Sequence, residues 1–309
     1  MTKVVVTGGA GFIGSHLALK LAERGNHVTI VDDLSTGRVE NIAALLKTSG
    51  AELVRGSVTD LSLLQSVFSG ASYVFHLAAI PSVPRSIEDP LGTHQVNVTG
   101  TLNVLMAARD SNVQKVVYAS SSSVYGDTPT LPKREDMMPS PQSPYAVAKL
   151  AGEYYCSVFH QVFGLPTVCL RYFNVYGPRQ DPLSPYAAVI PKFITSVLQG
   201  RPPIIFGDGS QTRDFTYVED ATEANILAVE SDATGIFNIG SGDRVSINEL
   251  ARLVLEILGK DLEPQHLEPR AGDIRHSLAD IALAKTFGYT PRHSLSEGVR
   301  RTIDQGTWA

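Results

Sequence analysis

Tyr145 and Lys149 stand four residues apart in the stretch SPYAVAKLAGEYYCSVFHQVFG, and this spacing places a phenol and an ammonium on one face of a helix. A phenol is a poor base near neutrality, its ordinary pKa being about 10. Lowering it by ~3 units needs roughly 4 kcal/mol of preferential phenolate stabilisation, which an adjacent ammonium and a second nearby cation could supply together. The pair therefore suits proton abstraction from a hydroxyl. Ser121, Ser122 and Ser123, in the run ASSSSVYG, offer hydroxyls for the same proton, and Ser121 is the first candidate.

These groups need elements to hold them. Ser143 reads as the N-cap of the tyrosine helix, Pro144 as its first residue and Gly164 as its stop. Short β-branched runs at Lys3–Thr7, Val28–Asp32, Glu52–Gly56, Tyr73–Leu77, Lys115–Ser120 and Thr167–Arg171 alternate with amphipathic segments, the pattern of βαβ units. The expected fold is α/β, a Rossmann-type doubly wound parallel sheet with a smaller, interleaved C-terminal substrate-binding lobe. The serines then lie at the carboxyl edge of the sheet, where ligands bind in this architecture.

Residues 1–172 are expected to form the nucleotide-binding domain and 173–309 mainly the smaller one, with 215–241 returning to the first. Beyond Tyr172 the rhythm is broken by Gly177–Pro178, Pro182, Pro185, Pro191 and Pro202–Pro203. The segment Asn97–Ala108 is apolar enough for a buried helix.

Gly8, Gly11 and Gly14 follow the first strand and open a helix. Such glycines permit a tight turn and bring a pyrophosphate against the helix N-terminus, at the amides of Phe12, Ile13 and Gly14. The second strand ends in Asp32-Asp33, where a carboxylate would accept hydrogen bonds from both adenosine ribose hydroxyls and repel a 2′-phosphate. NAD is therefore expected rather than NADP, with Ser35, Thr36 and Gly37 in the turn that follows; Arg38 nearby speaks weakly the other way.

The 309 residues, 43% of them hydrophobic, exclude a disordered or fibrous chain. A net charge of −5 without a basic run leaves nothing to neutralise nucleic acid or an anionic membrane. No stretch approaches the ~20 apolar residues of a membrane helix, and the first residues read as a strand rather than a signal peptide. Cys156 and Cys169 sit in apolar surroundings and read as reduced thiols, which points to the cytoplasm. No histidine falls at metal-ligand spacing, so no metal is expected.

The set GGAGFIG, HLAA (76–79), ASSSSVYG, SPYAVAK, LRYFNVYGPRQDP, TRDFTYVED and RAGDIRHSLAD resembles the extended short-chain dehydrogenase/reductases, and among them the UDP-hexose 4-epimerases, over essentially the full length. The resemblance implies Tyr145 as general base, Lys149 as its electrostatic partner and Ser121 as the proton-sharing hydroxyl, supported by Ser122 or Ser123. It implies oxidation of the sugar at C4 by tightly bound NAD, rotation of a 4-keto intermediate about its diphosphate link, and reduction on the other face.

Cofactor contacts implied in the same way extend to Ser57, Val58, Leu77, Ala78, Ala79 and Tyr172. Substrate contacts would come from Ser82, Val83, Arg85, Asn174, Val189, Arg213, Arg270, Asp273 and Ser277. Arginines suit the diphosphate because their planar forks bond its oxygens in pairs.

Two departures stand out: Gly56-Ser57 replaces the usual Gly-Asp after the third strand, and Ile80–Arg85 carries no lysine after the fourth. The second resembles members that take N-acetylated sugars. In the family a bulky tyrosine at the place of Ser277 excludes an N-acetyl group from C2, so Ser277 implies UDP-GlcNAc and UDP-GalNAc as substrates beside UDP-Glc and UDP-Gal. The resemblance also implies a homodimer joined through the Tyr145–Lys149 helix and the one before it.

Three other activities fit parts of the pattern. A UDP-glucuronate 4-epimerase would use the same trio, though the HSLAD segment argues against it. A nucleotide-sugar 4,6-dehydratase would need an Asp-Glu pair where this chain has serines. A non-catalytic NAD sensor would have no use for the intact Tyr145, Lys149 and Ser121.

Overall fold

The computed structural model describes residues 2–182, 187–269, 274–306 and 308. Seven parallel strands form the main sheet: β1 Lys3–Thr7, β2 His27–Asp32, β3 Glu52–Arg55, β4 Tyr73–His76, β5 Lys115–Ser121, β6 Thr167–Tyr172 and β7 Gly235–Ile239. Their spatial order is β7-β6-β5-β4-β1-β2-β3. The order reverses between β1 and β4, and the carboxyl ends of those two strands bound the crevice in which such sheets take ligands.

Both faces of the sheet are covered, which is why its strands read as apolar runs rather than as alternations. Val4 and Val6 of β1 enter one core with Leu17, Ala18 and Leu21 of α1 (Phe12–Glu23). Val5 enters the other with Leu64 and Phe68 of α2 (Leu61–Phe68) and Val104 of α3 (Gly100–Asp110). The tyrosine helix, α4 (Pro144–Phe163), closes this second face through Cys156 and Phe159. Its ends are those its sequence prescribes: Ser143 Oγ accepts the Ala146 amide, and Gly164 takes a left-handed φ of 69°.

A third core gathers Phe193 and Ile194 of α5 (Val189–Leu198), Leu250 and Val254 of α7 (Ile247–Leu258) and Val299 of α8 (Leu295–Gln305). Phe12 and Ile13, in the first turn of α1, pack against it, so the glycine turn lies at the seam between this core and the sheet. The helix α6 (Val218–Glu230) instead covers the α1 face of the sheet and leads into β7.

Two elements differ from the sequence reading. Pro191 does not break the chain but lies in the first turn of α5, where a missing N–H costs no helical bond. The expected helix from Asn97 begins as a π-helical turn, Gln95–Thr99, before α3. Such turns gather at functional sites, and side-chain periodicity carries no signal for them.

Candidate active site

The glycine turn is tight because nothing larger fits. Gly8 has a φ of 71°, and a Cβ built on it would stand 2.6 Å from the Ala78 amide nitrogen at the end of β4. One on Gly14 would stand 2.2 Å from the Gly8 carbonyl oxygen. Gly11 caps α1 without a side chain, and no acid occupies the first turn, so the free amides there are available to an anion. Leu77 to Ala79 run past this turn, with the Leu77 amide donating to the Thr7 carbonyl at 3.1 Å.

Asp32, only 7% exposed, accepts the Ala10 and Leu34 amides, each at 2.9 Å. Burial raises its pKa and these two bonds oppose the rise. Gly37 crosses so close that a Cβ there would lie 2.7 Å from the carboxylate. Asp33 is exposed and bonds the Ser35 amide at 2.9 Å, and Ser35 and Thr36 are exposed with it. Arg38, exposed, pairs with Asp181 at 2.7 Å. Val58 is buried, its carbonyl held by Asn103 at 3.2 Å, while Ser57 bonds Thr59 at 2.9 Å. A turn with no room for side chains, a helix end open to an anion and a carboxylate at the next strand end fit a dinucleotide such as NAD.

At the other end of the crevice, Lys149 is 4% exposed and donates to the Ala119 carbonyl at 2.7 Å. Its Nζ lies 5.8 Å from the centre of the Tyr145 ring and 5.1 Å from that of Tyr118. Burial pushes its pKa down to about 8, opposed by Glu153 and Cys156. Burial raises Tyr145, and a hydrogen bond with Ser121 lowers it. Ser121 also accepts the Ser123 amide at 3.2 Å. Ser122 is half-buried, and the Ser123 hydroxyl is buried with no hydrogen-bond partner among the described residues.

Tyr172 ends β6. It is 8% exposed, packs in the core on the α1 face, and exchanges hydrogen bonds with Asn225 of α6 at 2.8–3.0 Å. Its hydroxyl is thereby committed to the fold.

Several residues of this region carry no local sequence signal. Ser86 accepts the Tyr145 amide at 3.1 Å and so fixes the start of α4. His76 is 1% exposed between Thr7 (2.8 Å) and Thr101 (2.9 Å). Because Thr101 gives its own proton to the Asn97 carbonyl (2.7 Å), it accepts from His76 Nε2, and Nδ1 accepts from Thr7. Burial, then the Lys149 charge, lowers the His76 pKa to about 3, so the ring stays neutral. Asn97 in the π-helical turn clamps both backbone groups of Ile80, at 2.8 and 3.1 Å. Ile80 begins the loop to Ser82, which caps a short helix through the Arg85 amide; Val83 is exposed and Arg85 half-buried there.

Beside the end of β6 lies a cleft of about 260 Å³, lined among others by Asn174, Val189, Phe206, Gln211 and Arg213. Asn174 has a φ of 28°, and Arg213 donates to the Thr212 carbonyl at 2.9 Å. The cleft thus unites three of the expected substrate residues and adds Phe206 and Gln211, whose positions no motif marks. Ser277 lies outside it, 8% exposed, with its amide on the Thr212 carbonyl at 3.0 Å. Its segment reaches back to the serine turn: the Arg275 amide bonds Asp127 at 3.2 Å, and Leu278 pairs with Lys133 at 2.8 Å. Ser82, Val83 and Arg85 do not line the cleft. Arg270 and Asp273 lie outside the described residues. Among the described residues, no three His, Cys, Asp or Glu side chains gather as a metal site.

Residues 4–240 match the model of the NAD dependent epimerase/dehydratase family. The chain belongs to that family. It is 41% identical to a UDP-glucose 4-epimerase of Mycolicibacterium smegmatis, over 98% of this chain and 97% of that one. The structure of a UDP-N-acetylglucosamine 4-epimerase from Methanobrevibacter ruminantium M1, in complex with UDP-N-acetylmuramic acid, superimposes with a TM-score of 0.96 at 43% identity, covering 98% of this chain and 97% of that one. The Thermotoga maritima UDP-glucose 4-epimerase with UDP-glucose gives 0.94 at 40% identity, covering 98% of each.

The neutral burial of His76 has a measurable sign. The unfolded imidazole takes up a proton near pH 6.5 and the folded one only near 3, so stability from His76 is full above pH 6.5 and declines below it. In urea unfolding, the advantage of the wild type over His76→Asn should shrink by on the order of 1–2 kcal/mol between pH 7 and pH 5. An advantage independent of pH would contradict the neutral, buried ring.

Proposed function

We propose that this chain is an NAD-dependent epimerase acting at C4 of UDP-hexoses. The observation that carries the proposal is the Tyr145–Lys149 pair, its lysine buried and its tyrosine half-buried, with Ser121 beside Tyr145, at the carboxyl edge of a sheet whose first turn is shaped for a diphosphate. Bound NAD supplies the reversible oxidant for the sugar carbon. Asp32 would hold the adenosine ribose, and the amides opening α1 the pyrophosphate.

Tyr145 takes the proton of the 4-hydroxyl and later returns it, and Ser121 shares it. Lys149 keeps a positive charge beside the phenolate that this step creates. Asn174 and Arg213, in the cleft next to β6, would hold the UDP diphosphate while the sugar turns over. Residues 1–172 with 215–241 serve the cofactor in this reading, and 173–309 mainly the UDP-sugar.

Dehydration needs a free carboxyl acid beside the serine turn. Glu153 is the buried carboxylate there, and Arg171 holds both its oxygens, at 2.7 and 2.8 Å. That supports epimerisation over 4,6-dehydration. The small side chain of Ser277 supports acceptance of N-acetylated sugars.

An exposed apolar stripe on α4, formed by Val147, Tyr154, Val158 and Val162, together with Ile87 and Leu91, supports a homodimer. Two free, buried cysteines support a reducing, cytoplasmic setting, and no helix among the described residues is long and apolar enough to cross a membrane.

Purified protein incubated with UDP-GlcNAc and no added NAD should yield UDP-GalNAc to a stable mixture, read from the anomeric and H4 proton signals. Ser277→Tyr should suppress that turnover while sparing the UDP-Glc/UDP-Gal pair. An equal fall in both would remove Ser277 as the gate, and turnover confined to UDP-glucuronate would replace the substrate assignment. Light scattering should give the mass of two chains for the wild type and of one for Val158→Glu; a monomeric wild type would end the dimer proposal.

A further inference from the structure

The most deeply buried ion pair among the described residues lies directly under the serine turn, and the chemistry described above does not use it. Glu153 and Arg171 have side chains 0% and 2% exposed and meet through two parallel bonds. Replacing such a pair with apolar side chains often costs no stability, so its presence calls for a role other than stability.

Its contacts point to one. Glu153 also accepts the hydroxyl of Ser120, the residue immediately before Ser121. The Arg171 guanidinium carbon lies over the ring of Tyr125, 4.6 Å from its centre, and Tyr125 ends the turn that Ser121 begins. The two ends of the serine turn are therefore fastened to one ion pair. Glu153 is moreover the residue one helical turn beyond Lys149, which itself anchors Ala119.

We propose that Glu153, locked by Arg171, is a positioning residue for proton transfer: it fixes Ser121 against Tyr145 and supplies the counter-charge that keeps Lys149 an ammonium. The proposal rests on the epimerase reading. Among the described residues, the groups set against Lys149 come from β4, β5 and α4. His76 of β4 is neutral, β5 offers the Tyr118 ring and the Ala119 carbonyl, and α4 itself offers Tyr145, Glu153 and Cys156. From β6, Arg171 and Cys169 stand behind Glu153. Glu153 is therefore the fixed anion of the set. Its upward pull works against the burial that draws Lys149 down to about 8.

Glu153→Gln keeps the shape but removes the charge, puts an NH2 donor where one oxygen accepts from Arg171, and leaves Arg171 uncompensated. The alkaline limb of the kcat profile, where Lys149 loses its proton, should move down by about one pH unit or more. In the doubly neutral Glu153→Gln/Arg171→Gln the limb should return part of the way, because the nearer charge and its partner are then both gone. A merely structural role would lower kcat equally at every pH and leave the limb in place, and that result would overturn the proposal.

Ultraviolet titration of the NAD-loaded protein, as the difference from the same protein carrying Tyr145→Phe, gives a second reading independent of turnover. The Tyr145 phenolate should form at higher pH in Glu153→Gln than in the wild type; an unchanged or earlier transition would also overturn the proposal. Absence of wild-type turnover on every UDP-hexose would instead remove the epimerase reading, while the titration would still test the pair.

Discussion

A lysine ammonium almost wholly shut off from water is costly unless its surroundings answer it. Lys149 is answered on three sides, by a strand carbonyl, by two aromatic rings and by the Glu153 carboxylate one turn along its own helix. Those answers come from β5, α4 and, through Arg171, β6, so the charge can be kept only while these elements hold their mutual register. In return its bond to Ala119 and its place on the Tyr145 face of α4 bring the phenol to the edge where Ser121 emerges. One buried cation thus couples the packing of a helix on a sheet to the basicity of a phenol.

The cofactor side obeys a different constraint, one of space. Gly8 and Ala78 meet across the switch point between β1 and β4 with no volume for a methyl group, and Gly14 lies as close to Gly8. That closeness leaves the first amides of α1 facing the crevice. His76 stands behind the same contact and joins Thr7 at the end of β1 to Thr101 of α3, while Asn97 ties α3's approach to the loop at Ile80. The glycine turn and the loop at Ile80 therefore share one neutral, fully bonded polar spine. Such a spine avoids the cost of unsatisfied groups in an interior of low dielectric.

Much of this was legible where a feature is local. The glycine turn, the carboxylate ending β2 and the capped helix carrying Tyr145 and Lys149 each declare themselves within a few residues, because caps and turns are made by neighbours in sequence. Pro191 misled, since a proline marks a helix start as readily as a break and only the packed neighbours decide between them. The partner of the Tyr172 hydroxyl, Asn225, lies 53 residues on, beyond the reach of a local pattern.

Ser86, His76, Asn97, Phe206 and the Glu153–Arg171 pair stayed silent because their partners are remote. His76 meets residues 69 positions before it and 25 after it, and no spacing rule links such distances. The pairing of residues 275–280 with the chain around Asp127 and Lys133, which brings the Ser277 segment toward the serine turn, is likewise a product of topology alone.

The central claim, reversible oxidation at C4 with the removed hydrogen returned to the same carbon, is tested most directly with UDP-GlcNAc bearing deuterium at C4, mixed with unlabelled UDP-GlcNAc carrying carbon-13 elsewhere in the ring. Mass and proton spectra of the equilibrated UDP-GalNAc should show the deuterium still on C4 of the molecules that began with it, with none lost to water and none passed to the carbon-13 population. Loss of deuterium to solvent, or its appearance in the second population, would contradict a hydrogen held within one closed site throughout the inversion.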